Sequence, residues 1–324
     1  MTELLRDSLF NFYRYLNATQ PLPQSEGADA AVNSSGAALY FKPGTLATLA
    51  AQLLQGLSFL HQLNITHCDL KPENVCIVSA SKRHFKLIDF GSAVMQCDCH
   101  NSYVQSRWYR APEVMLGLPW DGKVDVWGVG CILAELLVGQ PIFHGGSVEL
   151  VLAAQAAVLG PHPKHMRDSS ELAHMYFTSD GQIYSIEPAG EKRAGVMTTL
   201  KGVSLQALTK VEDAGLLGFL TSLLSIDPDQ RPTAAEALDD PWLRQALDTS
   251  PDGQRHKLLA HLHGYHQSPS ASRGGSSSNS ADTSPVSSRN ASRDASPMRP
   301  RDSMRDSKSR GDSERYSTAG PGAL

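Results

Sequence analysis

The sequence predicts a mainly α-helical domain with one small β-hairpin near its centre. Three observations point there. The longest apolar run, inside KVDVWGVGCILAELLVG from Lys123, has no polar face and reads as a helix buried on all sides. Two short β-rich runs, VCIV and HFKLIDF, are separated only by the polar SASKR, the pattern of a hairpin. From about Tyr265 the large apolar side chains give way to Ser, Arg, Asp, Gly and Pro, so that this segment cannot offset the entropy of ordering and is expected to be disordered.

Taken in order, ELLRDSLFNFYRYL places Leu4, Leu5, Leu9, Phe12, Tyr13 and Leu16 near helical spacing, and the stretch from Gln20 to Gly36 reads as a loop. A second helix is expected over roughly Gly44 to Leu63, then the polar HCDLKPEN, then the hairpin. Met95 to Arg110 reads as an exposed segment, closed by APE. After the buried helix the pattern is irregular from Gly160 to about Leu205, with MYFTSDGQIYSI as an Asp-Gly hairpin. AGLLGFLTSLLSID and TAAEALDDPWLRQAL are read as the last two helices, the second opened by Thr233 with Glu236 completing a capping box.

Composition excludes some classes. The chain has 324 residues, 41% hydrophobic, enough for one large core, and a net charge of −4, too small to demand a polyanionic partner. Five cysteines leave one unpaired in any disulfide scheme, which favours a reducing intracellular setting, cytoplasm or nucleus. The N-terminal stretch has no basic segment followed by an apolar run. Val124 to Val138 is interrupted by Asp125 and Glu135 and falls short of the roughly 20 residues that span a bilayer, so no membrane partner is expected.

The eight residues HCDLKPEN, His67 to Asn74, hold two carboxylates, a lysine and an amide. Such a mix suits either a polar turn or a reaction centre. Asp69 and Lys71 would set a proton acceptor and a fixed cation before the same substrate group. Asn74 and Asp89 offer oxygen ligands suited to Mg²⁺ held partly by substrate phosphates. Phosphoryl transfer needs an oriented hydroxyl and neutralised phosphate oxygens, and these four side chains would serve both needs.

HCDLKPEN, DFG at Asp89 to Gly91, APE at Ala111 to Glu113, DVWGVG from Asp125 and RP at Arg231 follow in the order seen in eukaryotic protein kinases, over roughly Glu3 to Leu243. Cys68, where kinases usually carry arginine, and SYVQSRWYRAPEV resemble the dual-specificity tyrosine-regulated kinases and the related homeodomain-interacting kinases. LGLPWDGKVDVWGVGCILAELLVGQPIF looks closest to the plant and algal branch of the former. The resemblance implies ATP and Mg²⁺ as cofactors and protein hydroxyls as substrates. It implies Asp69 as catalytic base, Lys71 as a contact to the transferred phosphate, Asn74 and Asp89 as metal ligands, and Gly91 as the residue that permits the turn. It further implies a buried Glu113–Arg231 ion pair and Asp125 as acceptor of catalytic-loop amides. Tyr103 matches a self-phosphorylated switch tyrosine, with Arg107 and Arg110 as cations for its phosphate and Asn101 in place of a second tyrosine.

The glycine-rich loop, strand lysine and helix glutamate of such kinases cannot be placed, because Met1 stands where the inter-lobe hinge is expected. The expectation is therefore a kinase-like C-terminal lobe over 1–245 with the β-rich N-lobe absent, a helical extension over 246–264 and a tail over 265–324. Two functions remain, a truncated serine/threonine kinase or a non-catalytic protein that binds partners through a kinase-like lobe. CDCH at Cys97 to His100 supplies three ligands where a structural zinc site needs four. His256, His261, His263 and His266 read as the polar side of a terminal helix, and Cys76 and Cys131 as core thiols. Ser268, Ser284 and Ser296 precede proline as phosphoacceptors, while acidic residues dilute the tail's charge for nucleic acid.

Overall fold

The computed structural model describes residues 7–19, 41–95, 104–184 and 202–249. The helices are α1 (Leu9–Thr19), α2 (Pro43–Gln62), α3 (Pro112–Met115), α4 (Lys123–Val138), α5 (Val148–Leu159), α6 (Lys164–Ser169), α7 (Ala173–Tyr176), α8 (Leu205–Thr209), α9 (Ala214–Leu223), α10 (Ala234–Leu238) and α11 (Pro241–Asp248). The strands β1 (Ile65–Thr66), β2 (Val75–Ser79), β3 (His84–Leu87) and β4 (Val94–Met95) form two antiparallel pairs, β1 with β4 and β2 with β3. No described helix is long and apolar enough to cross a membrane.

Helix α4 is the hub. Every residue from Val124 to Leu136 is buried, which accounts for its missing polar face. Trp127 stacks on Phe143 at 5.4 Å, and the Arg231 guanidinium lies 5.0 Å above the same indole. The helix stops at Gly139, whose φ of 85° lets its N–H reach the Glu135 carbonyl at 2.6 Å. Helices α2 and α9 pack against α4, and α10 and α11 pack on α2.

Gly128 of α4 faces the polar loop, and a Cβ there would meet Leu70 Cβ at 2.7 Å. Leu70 sits between Asp69 and Lys71, so Gly128→Ala is expected to cost about 1–3 kcal/mol by overpacking and to displace both side chains. Thermal melting together with a phosphoryl-transfer assay would show a loss of activity larger than the loss of fold.

The hairpin β2–β3 pairs Val75 with Leu87 and Ile77 with Phe85. Gln52 of α2 clamps it, donating to the Arg83 carbonyl at 2.8 Å and accepting the Phe85 N–H at 2.9 Å. The Asp-Gly turn is present as the Phe177–Ile183 bridge, with Gly181 at φ 87°.

Three expectations change. TAAEALDDPWLRQAL is two helices: Asp240 caps α11 by accepting the Trp242 and Leu243 N–H groups, and Pro241 occupies the first turn, where its missing N–H costs nothing. Helix α5 is an addition, opened by the Ser147 side chain accepting the Leu150 N–H. The stretch read as exposed is largely interior at its end, since Val104, Gln105, Tyr109 and Arg110 are buried. Tyr103, Asn101, Cys97 to His100 and everything after residue 249 lie outside the described residues. The boundary at 245 falls inside α11.

Candidate active site

The loop from His67 to Asn74 is hung on α4. Asp125, fully buried, accepts the Cys68 N–H at 2.9 Å through Oδ1 and the His67 N–H at 2.8 Å through Oδ2, which also accepts from His61 Nε2 at 3.0 Å. Between those two amides and Asp69, Cys68 adopts φ 63°, a left-handed conformation that few side chains take. Its thiol is buried, which raises its pKa, and the Asp125 carboxylate raises it further. Cys68, Cys76 and Cys131 are buried.

Asp69 then projects a carboxylate held from three directions. Lys71 Nζ donates to Oδ2 at 2.7 Å, Asn74 Nδ2 to Oδ2 at 2.9 Å, and the Ser106 hydroxyl to Oδ1 at 2.7 Å. Lys71 Nζ also reaches Ser106 Oγ at 3.0 Å. Burial acts to raise the Asp69 pKa, but the hydrogen bonds from Lys71 and Ser106, the Lys71 charge and Asn74 outweigh it, and the carboxyl is held below its usual range. Ser106 is a site residue that sequence reasoning missed.

Asn74 Nδ2 donates as well to the Asp69 carbonyl at 2.8 Å, which turns its amide oxygen away from Asp69. The Asn74 carbonyl accepts the Ile88 N–H at 3.0 Å, which ties the loop to the residue that precedes Asp89. Asp89 is exposed. Gly91 does not make the left-handed turn; Asp89 does, at φ 62°, and its Oδ1 accepts the Gly91 N–H at 3.2 Å. Aspartate tolerates that conformation because its short side chain closes on the following backbone. A Cβ on residue 91 would stand 3.1 Å from the same oxygen. An amide oxygen and an exposed carboxylate are the hard, sparse donor set that suits Mg²⁺, which keeps waters and phosphate oxygens as its other ligands.

Glu113 and Arg231 form a doubly bonded buried pair, 2.6 Å from Nη1 to Oε1 and 3.0 Å from Nη2 to Oε2. Arg107 is exposed and donates to the Gly146 carbonyl at 2.6 Å. Arg110 is buried, with Nε on the Val104 carbonyl at 2.8 Å and Nη2 on the Gln105 carbonyl at 2.7 Å. Its place against Tyr103 lies outside the described residues.

Glu135 is a second residue that sequence reasoning missed. It is fully buried in α4 and accepts the Tyr13 hydroxyl at 2.7 Å and the Tyr109 hydroxyl at 2.6 Å. Burial raises its pKa, and the two tyrosines work in the opposite direction. A carboxyl with a raised folded pKa favours folding most at low pH and loses that contribution as pH climbs through the raised value. Tyr109→Phe removes a donor to the ionised form, at about 1.5–3 kcal/mol. Its melting temperature is therefore expected to trail the parent's more at neutral pH than at mildly acidic pH.

A cavity of about 790 Å³ opens beside this centre, lined by Lys71, Glu73, Ser106, Trp108, His144 and Gly146. Comparison with known proteins accords with this layout. A family model described as Protein kinase domain matches residues 25–243. The Probable serine/threonine-protein kinase dyrk2 of Dictyostelium discoideum is 38% identical over 197 residues, 61% of this chain and 21% of that protein. Dual specificity protein kinase lkh1 of Schizosaccharomyces pombe is 36% identical over 222 residues, 62% of this chain and 32% of that protein. Dual specificity tyrosine-phosphorylation-regulated kinase 3 of Rattus norvegicus is 36% identical over 212 residues, 61% of this chain and 36% of that protein. The chain thus spans 21 to 36% of the length of these relatives. With the family match running through both the Asp69 loop and the Glu113–Arg231 pair, the chain belongs to the protein kinase domain family.

Proposed function

We propose that this chain carries the hydroxyl-activating and metal-holding side of a protein serine/threonine kinase centre, moving the γ-phosphate of ATP to a protein hydroxyl. The observation that carries the reading is the Asp69 carboxylate with an alcohol, Ser106, already hydrogen-bonded at 2.7 Å. A substrate hydroxyl in the same relation would be oriented for attack and would pass its proton to Asp69 as the new O–P bond forms and the bond to ADP breaks. Lys71 would place its charge beside the transferred group. Asn74 and Asp89 would hold Mg²⁺, which supplies neutralisation of the phosphate oxygens.

The same backbone limits the substrate. Gln105, next to Ser106, has φ 68°, and its carbonyl is occupied by Arg110. Turned onto that guanidinium, it is directed away from the N–H of the peptide residue that follows the acceptor. Proline, which has no N–H, loses nothing there. Glu73 lines the cavity with an Oε2 that is buried and has no partner among the described residues, an arrangement suited to a basic substrate side chain. A peptide with Ser-Pro is expected to bind several times more tightly than its Ser-Ala counterpart, about the effect of one lost hydrogen bond. Equal affinities would remove the proline reading.

Tyr103 is proposed as a self-phosphorylated switch, on the strength of SYVQSR and the exposed Arg107 beyond it; peptide mass spectrometry of active protein finding it always unmodified would remove the idea. An intracellular setting is proposed from the five cysteines, of which Cys68 and Cys131 are free. The deciding assay offers Mg²⁺–ATP and a Ser-Pro peptide to the chain and to Asp69→Asn. Transfer by the parent alone supports the kinase reading. Peptide binding with no ATP binding and no transfer supports the non-catalytic one.

A further inference from the structure

Helix α5 places one polar side chain in the interior that the proposed chemistry does not use. Gln155 is fully buried and donates through Nε2 to the Arg110 carbonyl at 3.1 Å. Its Oε1 faces His162 Nε2 at 3.4 Å. His162 is itself buried, packed edge-on to Phe177 at 5.4 Å. Burial, helped by the charge of Arg167, pushes the His162 pKa down to about 4, so the ring is neutral near pH 7. A neutral ring has one proton, and facing a carbonyl-type oxygen it carries that proton on Nε2. His162 Nδ1 is then a lone pair, in keeping with its having no partner among the described residues.

The Arg110 carbonyl can only accept, so the nitrogen end of the Gln155 amide faces it, and His162 supplies the donor that the Oε1 end needs. A buried acceptor left without a partner costs about 1–3 kcal/mol, so His162 is a poor choice for stability alone. Its Nε2 proton satisfies the Gln155 oxygen and so holds the amide in that orientation.

We propose that Gln155, oriented by His162, is a positioning residue for substrate selection. It fixes the backbone of Arg110 and thereby holds the Arg110 guanidinium on the Val104 and Gln105 carbonyls, which keeps the Gln105 carbonyl turned away from a peptide N–H. The inference rests on the proline reading above and extends it from the substrate-facing turn to the interior of α5.

The test measures binding, by fluorescence anisotropy, of labelled Ser-Pro and Ser-Ala peptides to the full 324-residue chain without ATP. The variants are Gln155→Met, similar in volume but lacking the donor, and His162→Leu, which removes the orienting group and carries the test if the first does not fold. The expected result is a fall in the Ser-Pro over Ser-Ala ratio from several-fold toward one, the scale of one net hydrogen bond, with Ser-Ala affinity unchanged or higher. An unchanged ratio in folded variants overturns the proposal. Equal weakening of both peptides also overturns it, because that is what a merely structural residue would do. A parent that does not distinguish the peptides sinks the inference and the proline reading together, while leaving the kinase reading to the transfer assay, which is independent of this measurement.

Discussion

Asp69→Asn is expected to lower phosphoryl transfer by roughly 10² to 10⁴-fold while leaving the fold intact. The carboxylate is the only described part of the centre placed to take a proton from a hydroxyl at 2.7 Å, and asparagine keeps its size but cannot accept that proton. The amide oxygen of the substituted side chain would still receive hydrogen bonds from Lys71 or Asn74, so the loop should hold its shape. The loss should appear in turnover rather than in peptide affinity. The low pKa of Asp69 adds a second signature. A depressed folded pKa contributes stability above the ordinary carboxylate range that is lost as pH falls through the lowered value. The melting temperatures of parent and variant should therefore converge in acid. A variant with near-parental turnover would show that Asp69 is a loop-stabilising residue only.

Arg231→Met carries the largest expected effect on stability. It strands the Glu113 carboxylate in the interior, where side-chain exposure of the pair is 0% and 1%. Removing one partner of such a pair costs about 3–5 kcal/mol, because the remaining charge has lost its counterion without regaining water. Arg231 also donates to the carbonyls of Ser225 and Lys123, so three segments lose a shared anchor. For a domain of this size the melting temperature should drop on the order of 10 °C. Adding Glu113→Leu to the same protein should recover much of that loss, since an apolar pair leaves no charge uncompensated. If the single variant melts with the parent, the pair makes no net contribution.

How much of this was legible in the sequence depends on the distance between partners along the chain. Asp69, Lys71 and Asn74 are neighbours, and their grouping is visible as a cluster. The hairpin follows from β-rich runs with a polar link, and α4 from an apolar run without a polar face. Ser106 is not legible as a site residue, because it meets Asp69 from 37 positions away and nothing in local periodicity reports such a meeting. Glu135 reads only as an interruption of an apolar run, yet its tyrosine partners are 122 and 26 positions distant. The turn at Asp89 falls to the neighbouring glycine under a rule of residue type. The split between α10 and α11 is written in Asp240-Pro241, and periodicity across the join conceals it. Helix α5 lacks a polar face as α4 does, but only twelve residues of it stand between loops.

Glu135 has one carboxylate and two phenols, one from α1 and one from the turn that faces the cavity. Both hydroxyls bind the same charge on opposite oxygens, so the electron density each receives depends on the other. Pulling Tyr13 away would leave Tyr109 bonded to a more basic carboxylate and hold it more tightly; pushing Tyr13 closer would relax it. The first helix of the described chain and the substrate-facing turn thus share a single acceptor, and a disturbance of either one can reach the other through that group.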